Sequence, residues 1–146
     1  MKRYIVSSLL FVTSCHASEN GPIQFIDSYL KDFSLQSELT PYFTEKPTFI
    51  FGPHTHVPET AKEASDFILG IRTELKESGY ASSRIEDAQI RAEIDNYHLV
   101  TFTLTRLRAS GNALDVVCST YGVLDTEEGL KIVSWQPSKM KEKGKC

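Results

Sequence analysis

The sequence predicts an α+β domain whose helices pack on the concave face of a curved, mainly antiparallel sheet. Two observations support this fold class. Apolar residues recur at helical spacing in two segments of the first half of the chain. The second half contains four long runs rich in valine, isoleucine, threonine and aromatic residues, and the short polar turns between them force neighbouring strands to run antiparallel.

The first helix is predicted from Asn20, as its N-cap, to about Phe33, with Pro22 in its first turn. One face of this helix is apolar and consists of Ile26, Tyr29, Leu30 and Phe33. A short helical turn in SLQSELTPYF follows, and a strand then opens at Pro47 and ends before Gly52. This order places the first strand after the first helix.

The last helix has signals at both ends. Thr60 and Glu63 form a capping box, and Gly79 lies where a glycine commonly ends a helix. Its apolar stripe consists of Ala64, Phe67, Ile68, Ile71 and Leu75. The helix therefore has one face to bury against the sheet.

Four strand-like runs follow, and the first extends from Arg84 to Ile94. The others are YHLVTFTLTRLR, ALDVVCSTYGVL and GLKIVSW. In the second run, Val100, Phe102 and Leu104 alternate with threonines, so the apolar row faces the helices. The opposite face, with Thr101, Thr103 and Thr105, is predicted to be solvent-exposed, so an alternative function is a protein-interaction domain that acts through its sheet.

Residues 1–17 are predicted to be a signal peptide, because two basic residues precede an apolar run that is too short to span a membrane. Cleavage after Ala17 would release a soluble protein, whereas VTSC resembles a lipobox that would place a lipid on Cys15. Both routes predict an exported protein of the periplasm or cell envelope. A lipid on Cys15 is the one membrane contact predicted.

Residues 18–137 are predicted to form one domain, and residues 138–146 a basic flexible tail in solvent. Losing residues 1–17 removes Lys2 and Arg3 and no acid, which lowers the formal net charge from −3 to about −5. An acidic domain of this kind is not expected to bind nucleic acid. An oxidising compartment permits a disulfide between Cys118 and Cys146, but the sequence leaves this pairing open.

The chain resembles the nuclear transport factor 2-like superfamily, which includes SnoaL-like cyclases and ketosteroid isomerases. The resemblance covers roughly residues 22 to 137 and rests on PTFIFGP, ELKESGYASSRIEDAQI, TRLRASG and TYGVLDTEEGLKI. It implies a cone-shaped, cystatin-like α+β fold with a pocket between sheet and helices, and often a homodimer. The superfamily contains both enzymes and binding proteins, so the resemblance does not decide whether this chain is an enzyme.

Ketosteroid isomerases combine a carboxylate base at the end of the first strand with a tyrosine and a protonated acid that bind the oxyanion. Tyr29 matches that tyrosine by position. PTFIF carries no acid, and the position of the second acid falls near Thr120. The catalytic carboxylates are therefore unmatched, and the sequence favours a binding protein.

His54 and His56 are two residues apart, a spacing that would point both side chains the same way on a strand. A metal site needs a third ligand, for which His98 and Glu59 are the candidates. The flanking prolines favour a polar loop at the pocket mouth, so we predict no metal and no cofactor. A SnoaL-like or isomerase-like enzyme, with His54 or His56 as acid/base and Tyr29 as proton donor, is the alternative.

The predicted function is the binding of a small apolar or anionic ligand. Arg106 continues the apolar row of its strand and would place a guanidinium at the cavity rim; the alternative is that it pairs with a surface acid. The other candidate ligand-binding residues are aromatic and each carries one polar group. They are Tyr29, Tyr80, Tyr121 and Trp135.

Overall fold

The computed structural model describes residues 21–140 and residue 146. The predicted signal peptide, the lipidation site Cys15, the predicted N-cap Asn20 and most of the basic tail lie outside the described residues. Within them, no helix is long and apolar enough to cross a membrane.

Two helices, a 3₁₀ turn and six strands make up the described chain. The helices are α1 (Pro22–Leu35) and α2 (Ala61–Glu77), and the 3₁₀ turn covers Thr40–Tyr42. The strands are β1 (Phe43–Phe51), β2 (His54–His56), β3 (Ser82–Ile94), β4 (Tyr97–Leu107), β5 (Ala113–Thr126) and β6 (Gly129–Ser138).

All six strands form one sheet in the order β2-β1-β6-β5-β4-β3. β1 and β6 pair in parallel, and every other neighbouring pair is antiparallel. The three hairpins of β3 to β6 follow from their short connections, whereas the parallel pair joins segments at opposite ends of the domain. The predicted α+β fold, with helices on one face of a mainly antiparallel sheet, is confirmed.

Both helices bury the faces that the sequence predicts. Pro22 is the first residue of α1, and its N-cap is Gly21. At the start of α2, the Thr60 hydroxyl accepts a hydrogen bond from the Glu63 backbone N–H at 3.1 Å. At its end, Gly79 has a φ of +91°. Such a left-handed glycine closes the last helical turn and satisfies its free carbonyl groups.

The first strand ends before Gly52, as predicted, but it begins earlier than predicted, and the segment after it also differs. β1 begins at Phe43 rather than Pro47, because a register shift between Phe43 and Thr48 accommodates the proline. The predicted polar loop at His54 is instead the short strand β2, which pairs with β1 after a tight turn at Gly52. Gly52 has a φ of +60°, which lets the chain reverse within two residues.

The two faces of β4 are both buried. Val100, Phe102 and Leu104 belong to the core, as predicted. On the other face, Thr103 is 3% exposed and Thr105 is 4% exposed, while Thr101 is half-buried, so the prediction that this threonine face is solvent-exposed is wrong. Cys118 lies directly across from Thr103 and forms a disulfide with Cys146, whose sulfur lies 3.2 Å from the Thr103 hydroxyl.

The disulfide ties the last residue of the chain to the outer face of the sheet. The sequence predicts a tail that is free in solvent from residue 138, whereas Ser138 ends β6 and Cys146 is bonded to Cys118. The two cysteines are 28 residues apart in the sequence, and no local signal places them together.

Candidate functional site

A cavity of about 230 Å³ lies between the helices and the sheet. Tyr29, Leu30 and Phe33 of α1 form one wall, and Ile71 and Leu75 of α2 form another. The remaining walls come from the strands. Their contributions are Phe51, Ser83, Leu104, Arg106, Val117, Ser119, Tyr121, Trp135 and Pro137. The lining is therefore mainly aliphatic and aromatic, which is typical of a small-molecule site.

Strand register brings the sheet residues of the cavity together. Leu104 pairs with Val117 across the β4–β5 ladder, and Tyr121 pairs with Trp135 across the β5–β6 ladder. Directly paired residues point to the same face of a sheet. The inward row of β4 is therefore continued by side chains from β5 and β6, which the sequence alone does not align.

Tyr29 and Tyr121 place two buried hydroxyl groups in the lining. Each is 2% exposed, and their ring centroids are 5.9 Å apart in an edge-to-face arrangement. Burial raises the pKa of both phenols above the ordinary value of 10.0. Trp135 stacks on Tyr121 at 6.1 Å. The aromatic end of the cavity therefore carries two neutral hydroxyl groups.

Arg106 lines the cavity, but its charge is already balanced. Its Nε and Nη2 atoms donate to the two carboxylate oxygens of Asp115, which lies opposite it on β5. Such a two-point pair fixes the guanidinium plane and offsets its charge. Of the two interpretations of Arg106 from the sequence, the structure supports pairing with an acid, because Asp115 lies opposite Arg106 near one end of the β4–β5 ladder.

Tyr80 does not line the cavity and instead organises a hydroxyl cluster behind it. Its hydroxyl lies 2.9 Å from Ser34 Oγ and 2.8 Å from Ser83 Oγ. Arg72 stacks its guanidinium on the Tyr80 ring at 4.8 Å and donates to the Ser34 carbonyl oxygen. Ser83 connects this cluster to the cavity because it belongs to both.

His54 and His56 lie on β2, are exposed, and do not line the cavity. His56 packs on the Phe67 ring with a centroid distance of 4.2 Å. The two candidates for the third metal ligand have other partners. Glu59 pairs with Lys46, and His98 pairs with Glu93. Across residues 21–140 and 146, no group of three or more His, Cys, Asp or Glu side chains could hold a metal ion.

Sequence reasoning missed the role of two residues. It did not include Ser83 among the candidate site residues, although Ser83 is in register with Arg106 and faces the cavity. It overlooked Arg72, which is only 6% exposed. Arg72 follows Ile68 by four residues and so falls on the buried stripe of α2. This spacing could have predicted from the sequence that Arg72 is buried.

Two helices on one face of a six-stranded mixed sheet, with a cavity between the layers, define an α+β protein of the cystatin-like class. Within this class, the chain belongs to a family described as "NTF2-like protein (DUF6841)", whose model matches residues 20–140. The resemblance inferred from the sequence is thereby confirmed.

Solved structures have the same fold at low sequence identity. An NTF2-like protein with a cystatin-like fold from Novosphingobium aromaticivorans is 17% identical with a TM-score of 0.62, and the match covers 83% of this chain and 80% of that one. A protein of unknown function with a cystatin-like fold from Nostoc punctiforme is 8% identical with a TM-score of 0.64, over 82% and 89%.

An NTF2-like superfamily protein from Salmonella enterica is 16% identical with a TM-score of 0.57, over 83% of this chain and 89% of that one. Comparison with curated proteins found no match. At these identities the solved structures establish the fold, and the function has to be argued from the cavity itself.

Proposed function

We propose that this protein binds a small, largely apolar molecule in the cavity between its helices and its sheet. The supporting observation is a cavity of about 230 Å³ that is lined mainly by aliphatic and aromatic side chains. Burying apolar surface of a ligand there would supply the binding free energy, and a few polar groups would orient it. The NTF2-like fold is compatible with this role.

The composition of the lining favours binding over acid–base catalysis. Among the described residues that line the cavity there is no aspartate, glutamate or histidine. Proton transfer near neutral pH needs a group that changes its protonation there. Tyr29 stays protonated because burial raises its pKa, and both candidate histidines lie elsewhere. An enzyme that uses a histidine acid/base is therefore the less supported alternative.

Trp135 provides a direct test because it is the single tryptophan of the chain and lines the cavity. Titration with 1-octanol and with its isomer heptyl methyl ether should give a saturable change in tryptophan fluorescence. Isothermal titration calorimetry with the same protein and compounds should yield a stoichiometry of one ligand per chain. If neither compound produces saturation below its solubility limit, the proposed function is wrong.

A variant that fills the cavity tests the location of binding. Val117 lines the cavity, whereas its neighbour Val116 is exposed on the other face of β5. Val117→Phe should weaken binding of both compounds about tenfold or more, because the added ring occupies the ligand's space. Val116→Phe is the matched control and should bind like the wild type. Equal binding by both variants would place the ligand outside this cavity.

We also propose that the protein is exported, with residues 1–17 as its leader. The basic start and short apolar run of that segment support export, and so does the Cys118–Cys146 disulfide, which forms in oxidising compartments. Intact mass of the protein recovered from a bacterial envelope tests this. A chain starting at Ser18, or a diacylated chain starting at Cys15, supports export, and a chain that retains residues 1–17 contradicts it.

A further inference from the structure

The hydroxyl cluster behind the cavity has a defined direction of proton donation. It starts at Ser34, whose hydroxyl donates to the Leu30 carbonyl oxygen at 2.8 Å. A serine hydroxyl has a single proton to donate. At its contact with Tyr80, at 2.9 Å, Ser34 can therefore only accept, and Tyr80 donates.

The same reasoning extends to the wall of the cavity. Because the Tyr80 proton is directed to Ser34, the contact between Tyr80 and Ser83 at 2.8 Å must use the Ser83 proton. Ser83 therefore donates away from the cavity. Its oxygen retains a lone pair for the cavity side but has no proton for a ligand there.

The neighbouring arginine does not change the conclusion that Ser83 can only accept a hydrogen bond from a ligand. Arg106 is paired with Ser83 across the β3–β4 ladder, and its guanidinium is engaged by the Asp115 carboxylate. A bound anion would therefore face the Ser83 oxygen, which has no proton to donate, and an arginine whose charge Asp115 offsets. Burying a carboxylate beside a guanidinium whose charge is already offset is unfavourable.

We propose that the cavity selects neutral apolar molecules that carry one hydrogen-bond donor, such as an alcohol or N–H group, and that Ser83 Oγ accepts this hydrogen bond. This assignment rests on the proposed function and specifies its ligand class. The donor end of the ligand lies at the edge strand β3, and its apolar part lies toward Tyr121 of β5 and Trp135 of β6.

Arg72 is the group that would favour an anionic ligand over a neutral one. Its Nη1 atom is buried and has no hydrogen-bond partner. Arg72 is not among the residues that line the cavity, and its other nitrogens are directed to the Ser34 carbonyl oxygen. A carboxylate is therefore included as a third probe, so that an anion site at Arg72 would be detected.

Three compounds of similar length separate these possibilities: 1-octanol, heptyl methyl ether and octanoate. The alcohol and the ether have the same atoms, but only the alcohol can donate to Ser83. The wild type should bind 1-octanol about fivefold to tenfold more tightly than the ether, the ratio expected for one neutral hydrogen bond. Octanoate should bind more weakly than 1-octanol.

Ser83→Ala tests the acceptor itself. This variant should bind 1-octanol and the ether equally, while affinity for the ether remains at the wild-type value. Ser83→Thr keeps the hydroxyl and should retain the preference for the alcohol. Ser82→Ala is the matched control from the adjacent position on β3 and should behave like the wild type. Unfolding midpoints of all variants check that the fold is retained.

The outcomes distinguish this inference from the proposed function. Equal binding of alcohol and ether by the wild type, or an unchanged preference in Ser83→Ala, overturns the role of Ser83 but leaves the cavity a binding site. Tightest binding of octanoate overturns it in favour of an anion site. Failure of both 1-octanol and the ether to bind contradicts the proposed function instead.

Discussion

Tyr29 and Tyr121 illustrate how burial changes the chemistry of a residue. Both phenols lie in the core beside the cavity, and desolvation is the main cause of their raised pKa values. A neutral phenol can donate or accept a hydrogen bond but cannot act as a base. At the residue scale, the tyrosine that matches an oxyanion donor by sequence position is present, and the described residues that line the cavity include no aspartate or glutamate.

The raised pKa values predict a loss of stability at alkaline pH. The unfolded chain releases these phenolic protons near pH 10, the ordinary value, whereas the folded chain retains them. Stability from these groups is therefore complete below about pH 10 and falls as the pH rises above it toward the higher folded-state values. Urea unfolding of the wild type between pH 8 and pH 11.5 should show this decrease.

The comparison variant for this prediction is Tyr29→Phe/Tyr121→Phe. Other tyrosines and the lysines also titrate in this range, so the informative quantity is the difference between the two pH profiles. The double variant should lose stability less steeply above about pH 10. Parallel profiles would mean that these phenols ionise as freely in the folded chain as in the unfolded one.

At the scale of elements, two glycines differ in whether the structure has room for a side chain at their position. Gly122 lies within β5, where an added Cβ would come within 2.5 Å of Ser134 Oγ and 2.7 Å of the Tyr97 hydroxyl oxygen. Gly70 lies within α2 and is exposed, with nothing within 4 Å of an added Cβ. The sheet therefore requires glycine at position 122, and the helix does not require it at position 70.

Alanine substitutions at these two positions should change stability in opposite directions. Gly70→Ala should stabilise the protein by about 0.5–1 kcal/mol, because glycine is a poor residue for a helix interior. Gly122→Ala should destabilise it by about 1–3 kcal/mol, because Tyr97 and Ser134 must move. Urea unfolding midpoints of the two variants measure this. A neutral Gly122→Ala would mean that those side chains move at no cost.

At the scale of the whole molecule, the Cys118–Cys146 disulfide ties Cys146 to the outer face of the sheet. The sulfur of Cys146 also approaches the Phe102 carbonyl oxygen at 3.3 Å, so the last residue contacts the central strands. A crosslink between residues 28 apart restricts the unfolded chain and thereby stabilises the folded one.

Reduction of this bond should lower the free energy of unfolding by about 2–4 kcal/mol. The measurement is urea unfolding of the disulfide-bonded protein with and without dithiothreitol. Cys146→Ala should match the reduced wild type, and dithiothreitol should have no further effect on it. If the oxidised wild type is no more stable than Cys146→Ala, the crosslink does not contribute to the stability of the domain.

Local signals explain which features could be predicted from the sequence. The buried faces of α1 and α2 follow from helical spacing, and the cap at Thr60 and the helix end at Gly79 follow from residues within one turn of each other. The hairpins of β3 to β6 follow from turn residues that are close in sequence. Proline is a strong local signal for the start of a strand, so β1 was predicted to begin at Pro47. It begins at Phe43 because pairing with β6 extends on both sides of the proline.

The sequence by itself determined the α+β class, the helix faces and the apolar row of β4, because periodicity and capping act over a few residues. Only the tertiary structure decided the parallel pairing of β1 with β6, the pairing of Arg106 with Asp115 and the burial of the threonine face. It also decided the position of Ser83 between the cavity and Tyr80. These features depend on strand register and on contacts between distant segments, which the packed chain establishes and no local pattern contains.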